Sequence, residues 1–317
     1  MEFISKNGRL DKVLQANINT TRNQISNFIR SGNVKVDGKI VTKCGYKLYG
    51  GEKIEYEKKE AQIKNSYEVD FDIDRLYEDE DILILNKPPF LTVHSAPSVK
   101  EATLVDWLKS QNISLSTISG EERHGIVHRI DKQTSGALVI AKNNTAHLAL
   151  SKQLEDKSMG RYYLAIVDTP LKDNIIVEKS IARNRNNRLK MAIDEKGRSA
   201  KSAFLKLITS TNEKNELIAV KLYSGRTHQI RVHLSSLSRH ILGDDLYGFK
   251  SKEGKIKRVM LHAYILYLIH PRTGKKIYVK APLFDDFKEI LNTKFIMEKV
   301  YEKIDTDYII DSFNTHF

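Results

Sequence analysis

One carboxylate of this chain is set among cations in a way that suits chemistry. Asp131 lies between Arg129 and Lys132 in the stretch from Gly125 to Lys142, G-I-V-H-R-I-D-K-Q-T-S-G-A-L-V-I-A-K. With a free-acid pKa of about 3.9 and opposite charges beside it, such a group stays ionised at neutral pH. It can then serve as a nucleophile or an electrostatic stabiliser, but it is a poor general acid. An Asp in a turn also caps backbone or pairs with a neighbouring Arg, and spacing alone leaves that reading open.

Two further strings carry unusual polar content. Arg161 to Val167, R-Y-Y-L-A-I-V, has a strand pattern whose alternation puts Tyr163 and Ala165 on one face and Tyr162 and Leu164 on the other. A ring beside a reactive carboxylate can stack on a base, a contact worth ~1–3 kcal/mol, although either tyrosine can equally be strand packing. Ser224 to Leu234, S-G-R-T-H-Q-I-R-V-H-L, follows the strand-like run Leu217 to Leu222.

The elements that must position these residues are short. Ile126-Val127 and Ala137 to Ala141 enclose the Asp131 segment, which ends in Gly136; this predicts strand, tight loop, strand. Asp81 to Lys87 is an apolar strand stopped by Pro88-Pro89. Thr103 to Leu108 starts a helix with Leu104 and Trp107 as core candidates. From Lys157 onward, short strands separated by turn signals dominate. The fold class is therefore α+β with a mixed, largely antiparallel sheet.

Residues 1–58 form a unit of their own. Leu10, Val13 and Leu14 share one helical face, and Thr20 and Thr21 are N-cap candidates for a second helix carrying Ile25, Phe28 and Ile29. Ser31-Gly32 closes that helix, Asp37-Gly38 suits a type I′ hairpin turn, and Gly50-Gly51 leads into a last strand at Lys53 to Tyr56. Residues 59–70 are polar and aperiodic, hence a linker. A large domain follows over 71–292. The tail, 293–317, has helical spacing at Ile296, Val300 and Ile304.

At 317 residues with 40% hydrophobic content, the chain can bury a proper core. A net charge of +12 points towards a polyanionic partner. The single cysteine, Cys44, excludes internal disulfides and Cys-cluster zinc sites. No leader is visible at the amino terminus, and no apolar run approaches the ~18 residues of a membrane helix, so a soluble cytoplasmic protein is expected. Ten histidines invite a metal reading, but neither His124 with His128 nor His228 with His233 is spaced to share a face with a third ligand. No metal is expected, and the absence of G-x-G-x-x-G or a P-loop Lys argues against a nucleotide cofactor.

The strings together resemble one family. His128-Arg129-Ile130-Asp131 with Thr134-Ser135-Gly136 is similar to the H-R-L-D-x-x-T-S-G signature of the RluA/RluD pseudouridine synthases, with Ile130 for Leu. Arg161 to Ala165 resembles the family's K-x-Y-x-A motif, with Arg161 for Lys. Gly225 to His233 resembles G-R-T-H-Q-I-R-V-H, and Gly243 to Gly248 the G-D-x-x-Y-G that follows it. Leu261-His262-Ala263, His270 to Gly274 and Ala281-Pro282-Leu283 match the carboxy-terminal elements. Ile181-Ala182-Arg183 and Met191-Ala192-Ile193 resemble the RluD branch. Residues 1–58 resemble the RNA-binding module named after ribosomal small-subunit protein four.

The resemblance implies the pseudouridine synthase fold and isomerisation of uridine in RNA, without cofactor or metal, by a monomer. Asp131 would start glycosidic cleavage, Tyr163 would hold the uracil, and Arg226 would pair with Asp131. Arg129, His128 and Leu261 would contact the substrate. Histidine and arginine at 233 and 231 would be structural supports or phosphate contacts. In the amino-terminal module, which has twelve basic residues against seven acidic over 1–60, Arg22, Arg30 and Lys35 are the phosphate-contact candidates. Large-subunit ribosomal RNA is the expected substrate; a transfer RNA, or a non-catalytic role in ribosome assembly, stays open.

Overall fold

The computed structural model describes residues 1–18, 22–57, 67–96, 99–120, 123–249 and 256–317, with the backbone alone at 22–24 and 27. The amino-terminal unit runs β1 (Glu2–Ile4), β2 (Gly8–Arg9), α1 (Leu10–Asn17), α2 (Arg22–Arg30), β3 (Val34–Val36), β4 (Lys39–Ile40), β5 (Lys47–Leu48) and β6 (Lys53–Tyr56). Leu10, Val13 and Leu14 of α1 pack on Ile25 and Ile29 of α2, with Phe28 partly buried beside them. Asp37 and Gly38 both have positive φ, 48° and 78°, the geometry whose twist joins two strands in a tight hairpin. Thr20 and Thr21 lie outside the described residues, as does most of the expected linker.

The larger unit continues with β7 (Arg75–Glu78), β8 (Ile82–Lys87), α3 (Leu104–Ser110), β9 (Ser135–Ala141), α4 (Asn144–Asp156), β10 (Gly160–Val167), β11 (Ile175–Glu178), β12 (Ile181–Arg183) and β13 (Met191–Ile193). Then come β14 (Lys201–Thr209), β15 (Glu216–Leu222), α5 (Gln229–Ser235), β16 (Leu261–Ile269), β17 (Lys276–Lys280), α6 (Asp285–Lys294), α7 (Met297–Lys303) and α8 (Thr306–His316). Nine strands make one sheet in the order β11-β14-β15-β10-β16-β9-β8-β7, with β17 also on β16. The described ladders of this sheet are antiparallel except β9 with β16. The fold is the mixed, largely antiparallel sheet with helices that the sequence pattern implies.

Three details differ from the sequence reading. Ile126-Val127 is not a strand: Ile126 makes a single bridge to Ile140, and the chain bends at Val127 and joins no described ladder before β9. Gly125 causes this, since its backbone turns with φ +70° directly against Ala141, where a Cβ would sit 2.8 Å from the carbonyl. The tail is not separable either. Helix α6 runs through position 292, and Val300, Ile304, Ile309 and Phe313 share the core that holds Tyr162, Tyr264 and Leu261. Ile296, grouped with Val300 and Ile304 by helical spacing, is exposed as the residue preceding α7.

Candidate active site

The loop bearing Asp131 is fixed at four points. Thr134 N–H donates to the Asp131 carbonyl at 3.1 Å, closing the turn. Gly136, with φ +112°, then lets β9 meet β16 so closely that a Cβ would stand 2.3 Å from the Ala263 carbonyl oxygen. Only glycine permits that approach without displacing backbone. Lys87, fully buried at the end of β8, donates from Nζ to the carbonyls of Pro88, Leu91 and Lys132 at 2.6, 2.9 and 3.3 Å. Burial pulls this amine down to about 7, with the Asp131 charge opposing the shift. Arg258, also fully buried, holds Asp286 of α6 through two bonds of 2.5 and 2.7 Å while donating to the Gln133 carbonyl.

The opposite wall is built on the turn from β15 into α5. Gln229 organises it: its Oε1 accepts from Ser224 Oγ and Arg226 N–H, and its Nε2 donates to Lys201 O and Ser202 Oγ. His228 enters α5 in the left-handed conformation, φ 55°. That reversal aims the next turn of the helix, and with it Arg231, at Asp131. Arg231 Nη1 stands 3.5 Å from Asp131 Oδ2, while its Nε and Nη2 donate to the Asp244 carboxylate at 2.8 and 2.7 Å. His228 Nε2 is 3.9 Å from the same Asp131 oxygen, and its Nδ1 contacts Tyr247 Oη at 2.9 Å. Because Tyr247 Oη already accepts the Met191 N–H, the arrangement that satisfies both contacts has the hydroxyl donating to Nδ1 and the imidazole proton on Nε2, facing Asp131. Burial holds the His228 ring below its usual range, with Asp131 acting in the opposite sense.

These walls enclose a cavity of about 510 Å³ lined by, among others, Asp131, Tyr163, Leu261, Arg226 and Arg231. Tyr163 is buried, and desolvation raises its hydroxyl pKa; Tyr162, on the other face of β10, packs against Phe313 instead. Leu261 stands directly across the ladder from Ala165, two residues from Tyr163. Arg129 and His128 also line the cavity. The exposed Arg129 reaches His94 at 3.3 Å, and His128 contacts Arg161 and accepts the Val139 N–H.

The pairing expected of Arg226 is corrected. Its Nε donates to the Ser199 carbonyl at 3.0 Å, and the guanidinium at Asp131 belongs to Arg231. Arg226 precedes the left-handed residue and Arg231 follows it, so the two diverge. His233 is a support as expected, buried between Ser202 Oγ and the Lys179 carbonyl. Asp244 and Tyr247, part of a string the sequence singled out without assigning its residues, are the groups that hold Arg231 and His228. In the amino-terminal unit, Arg30 and Lys35 are exposed, while the Arg22 side chain lies outside the described residues.

Among the described residues one group of possible metal ligands converges, Asp79, Asp81 and His270. Asp79 bonds His270 directly at 2.6 Å and Asp81 is paired with Arg272 at 2.7 Å, so the cluster satisfies itself.

A family model described as RNA pseudouridylate synthase matches residues 81–236, the span that carries Asp131, Tyr163 and Arg231, and an S4 domain model matches 8–54. An uncharacterized RNA pseudouridine synthase of Helicobacter pylori is 48% identical over 313 residues, covering 96% of this chain and 95% of the relative. The chain belongs to the RNA pseudouridine synthase family. The synthase is also similar to the ribosomal large subunit pseudouridine synthase D of Zymomonas mobilis, at 35% identity over 92% of this chain and 95% of that one. Its fold is shared with human RNA pseudouridylate synthase domain containing 1, at a TM-score of 0.54 and 21% identity over 70% of this chain and 94% of that one. The enzyme acts on RNA, and none of its described helices is long and apolar enough to cross a membrane.

Proposed function

We propose that this synthase isomerises specific uridines of large-subunit ribosomal RNA, working as a monomer in the cytoplasm. The observation that carries the chemistry is the Asp131 carboxylate at a cavity wall, with Arg231 3.5 Å behind it and Tyr163 and Leu261 beside it. A cavity of this size takes one extruded base with its ribose. Extrusion costs a few kcal/mol, which stacking on Tyr163 and contacts of basic surface with phosphate offset.

In this reading Asp131 initiates cleavage of the C1′–N1 bond, at the ribose or at the ring, while Arg231, 3.5 Å away, holds the carboxylate in place. Arg129, exposed at the cavity rim, fills the vacated position in the helix or grips a phosphate. The detached uracil turns against Tyr163 and Leu261 and rejoins through C5, and the enclosing walls keep it from water. Arg22, Arg30 and Lys35 of the amino-terminal unit contact phosphate.

The preference for ribosomal RNA rests on the relatives named for large-subunit modification together with the amino-terminal RNA-binding unit. Pseudouridine mapping in cells with and without the gene tests it. Loss of pseudouridines confined to large-subunit RNA is the expected result, and loss confined to transfer RNA overturns the assignment.

A further inference from the structure

Arg161 is a buried cation without a counter-ion. It is 7% exposed, and among the described residues no carboxylate lies within ion-pair distance of it. Among the described residues its one polar contact is with the His128 ring, and its Nε has no hydrogen-bond partner. His128 cannot neutralise it, since burial and the Arg161 charge itself hold that ring in the uncharged form. A desolvated guanidinium with an idle donor costs several kcal/mol unless an acceptor arrives. Arg161 lines the same cavity as Asp131, two residues before Tyr163 and on the same face of β10. Two residues of strand span about 7 Å, the breadth of a pyrimidine ring with its exocyclic oxygens.

We propose that Arg161 binds a carbonyl oxygen of the extruded uracil and stabilises the negative charge that collects there while the base is detached. The assignment rests on the pseudouridine synthase reading of this cavity. Phosphate is the other acceptor RNA offers, but cations for it already stand further out: Arg129 and Arg198 are exposed along the same cavity and Arg226 is half-exposed. The depth of Arg161 selects the base. Every route from Asp131 places charge on the uracil oxygens. If C1′–N1 breaks heterolytically, the bonding pair stays on uracil, spread over N1 and the carbonyl oxygens. If the carboxylate adds to the ring, the displaced π electrons reach the same oxygens. C5 then bonds to C1′, the C5 proton leaves and N1 takes one up, so the step is a net isomerisation.

Single-turnover release of tritium from C5, on total RNA of gene-deleted cells grown with tritiated uracil, tests the assignment. R161M is expected to slow release by about 10²–10³-fold, the loss typical of a transition-state charge donor, with RNA affinity within about threefold. R161K, which restores a single charge, should recover to within about tenfold of wild type. R161Q, similar in shape and neutral, should stay near R161M, and it carries the comparison if R161M fails to fold. R161M within threefold of wild type, or R161K no faster than R161M, overturns the role of Arg161 alone. A wild-type protein that releases no tritium overturns the enzymatic reading of the cavity and this role with it.

Discussion

Arg231 bridges two carboxylates that are 113 positions apart in sequence, Nη1 lying 3.5 Å from Asp131 and its other edge held by Asp244 at 2.8 and 2.7 Å. The Asp244 side chain is 1% exposed and that of Arg231 8%, so this pair is buried while Asp131 keeps access to the cavity. Tyr247 adds its ring beneath the guanidinium at 4.9 Å and its hydroxyl to His228. Asp244 thus fixes the cation that fixes the reactive acid.

This arrangement separates the roles of the two arginines. Asp131→Asn should reduce tritium release to background with RNA affinity unchanged within a few-fold. Arg231→Ala should do nearly the same, and Asp244→Asn should lower single-turnover rate by about 10–100-fold by freeing Arg231. Breaking the buried pair should also cost about 3–5 kcal/mol of stability in urea unfolding. Arg226→Ala should act on RNA affinity more than on rate. Were Arg226→Ala to abolish turnover while Arg231→Ala retained it, the assignment of Arg231 would be wrong.

How far the sequence reached is clear from these same residues. Asp131, Tyr163 and Leu261 were legible through their resemblance to the family's motifs; alternation along β10 puts Tyr163 and Tyr162 on opposite faces but does not by itself say which of the two meets Asp131. Arg226 and Arg231 lie five apart across a left-handed His228, and no periodicity survives such a reversal. Asp244 needed the loop from α5 to return under the helix, a tertiary event with no local signal. The supports Lys87 and Arg258 were illegible for another reason. Both are cations in runs that look like strand and loop, and only the assembled fold shows them buried against backbone carbonyls.

Lys87 makes a pH prediction with a definite sign. Its amine titrates near 7 in the folded protein because of burial, against 10.5 unfolded. Between those values the unfolded chain binds more protons than the native one, so this group makes stability rise with pH. The difference in unfolding free energy between wild type and Lys87→Met should therefore grow in favour of wild type from pH 7 to 9.5, at about 1 kcal/mol per pH unit. A pH-independent difference would mean that Lys87 stays charged in place.

The amino-terminal unit can be tested by salt. Arg30→Ala and Lys35→Ala should each weaken RNA binding and lower the slope of log affinity against log salt by up to about 0.7 per lost single-strand phosphate contact. Because neither side chain lines the cavity that holds Asp131, the rate of bound complexes should not change. An unchanged slope in the double variant would remove this face from the RNA-binding surface.

Acid stability should depend on the contact between the β7–β8 turn and the β16–β17 turn. His270 bonds Asp79 Oδ2 at 2.6 Å, where Tyr77 Oη donates at 2.7 Å, and Asp79 Oδ1 accepts the Asp81 and Ile82 N–H groups at 2.8 and 2.9 Å. Partial burial alone would raise this acid; the four donors outweigh it and hold the carboxyl at about 2 against an ordinary 3.8. A depressed folded pKa gives stability that is present above 3.8 and lost as pH falls towards 2. Asp79→Asn should thus be less stable than wild type by roughly 2 kcal/mol at pH 6 in urea unfolding, with the gap closing below pH 4 as wild type loses its advantage. A gap that persisted unchanged at pH 2.5 would place the effect in packing, not in the charge of Asp79.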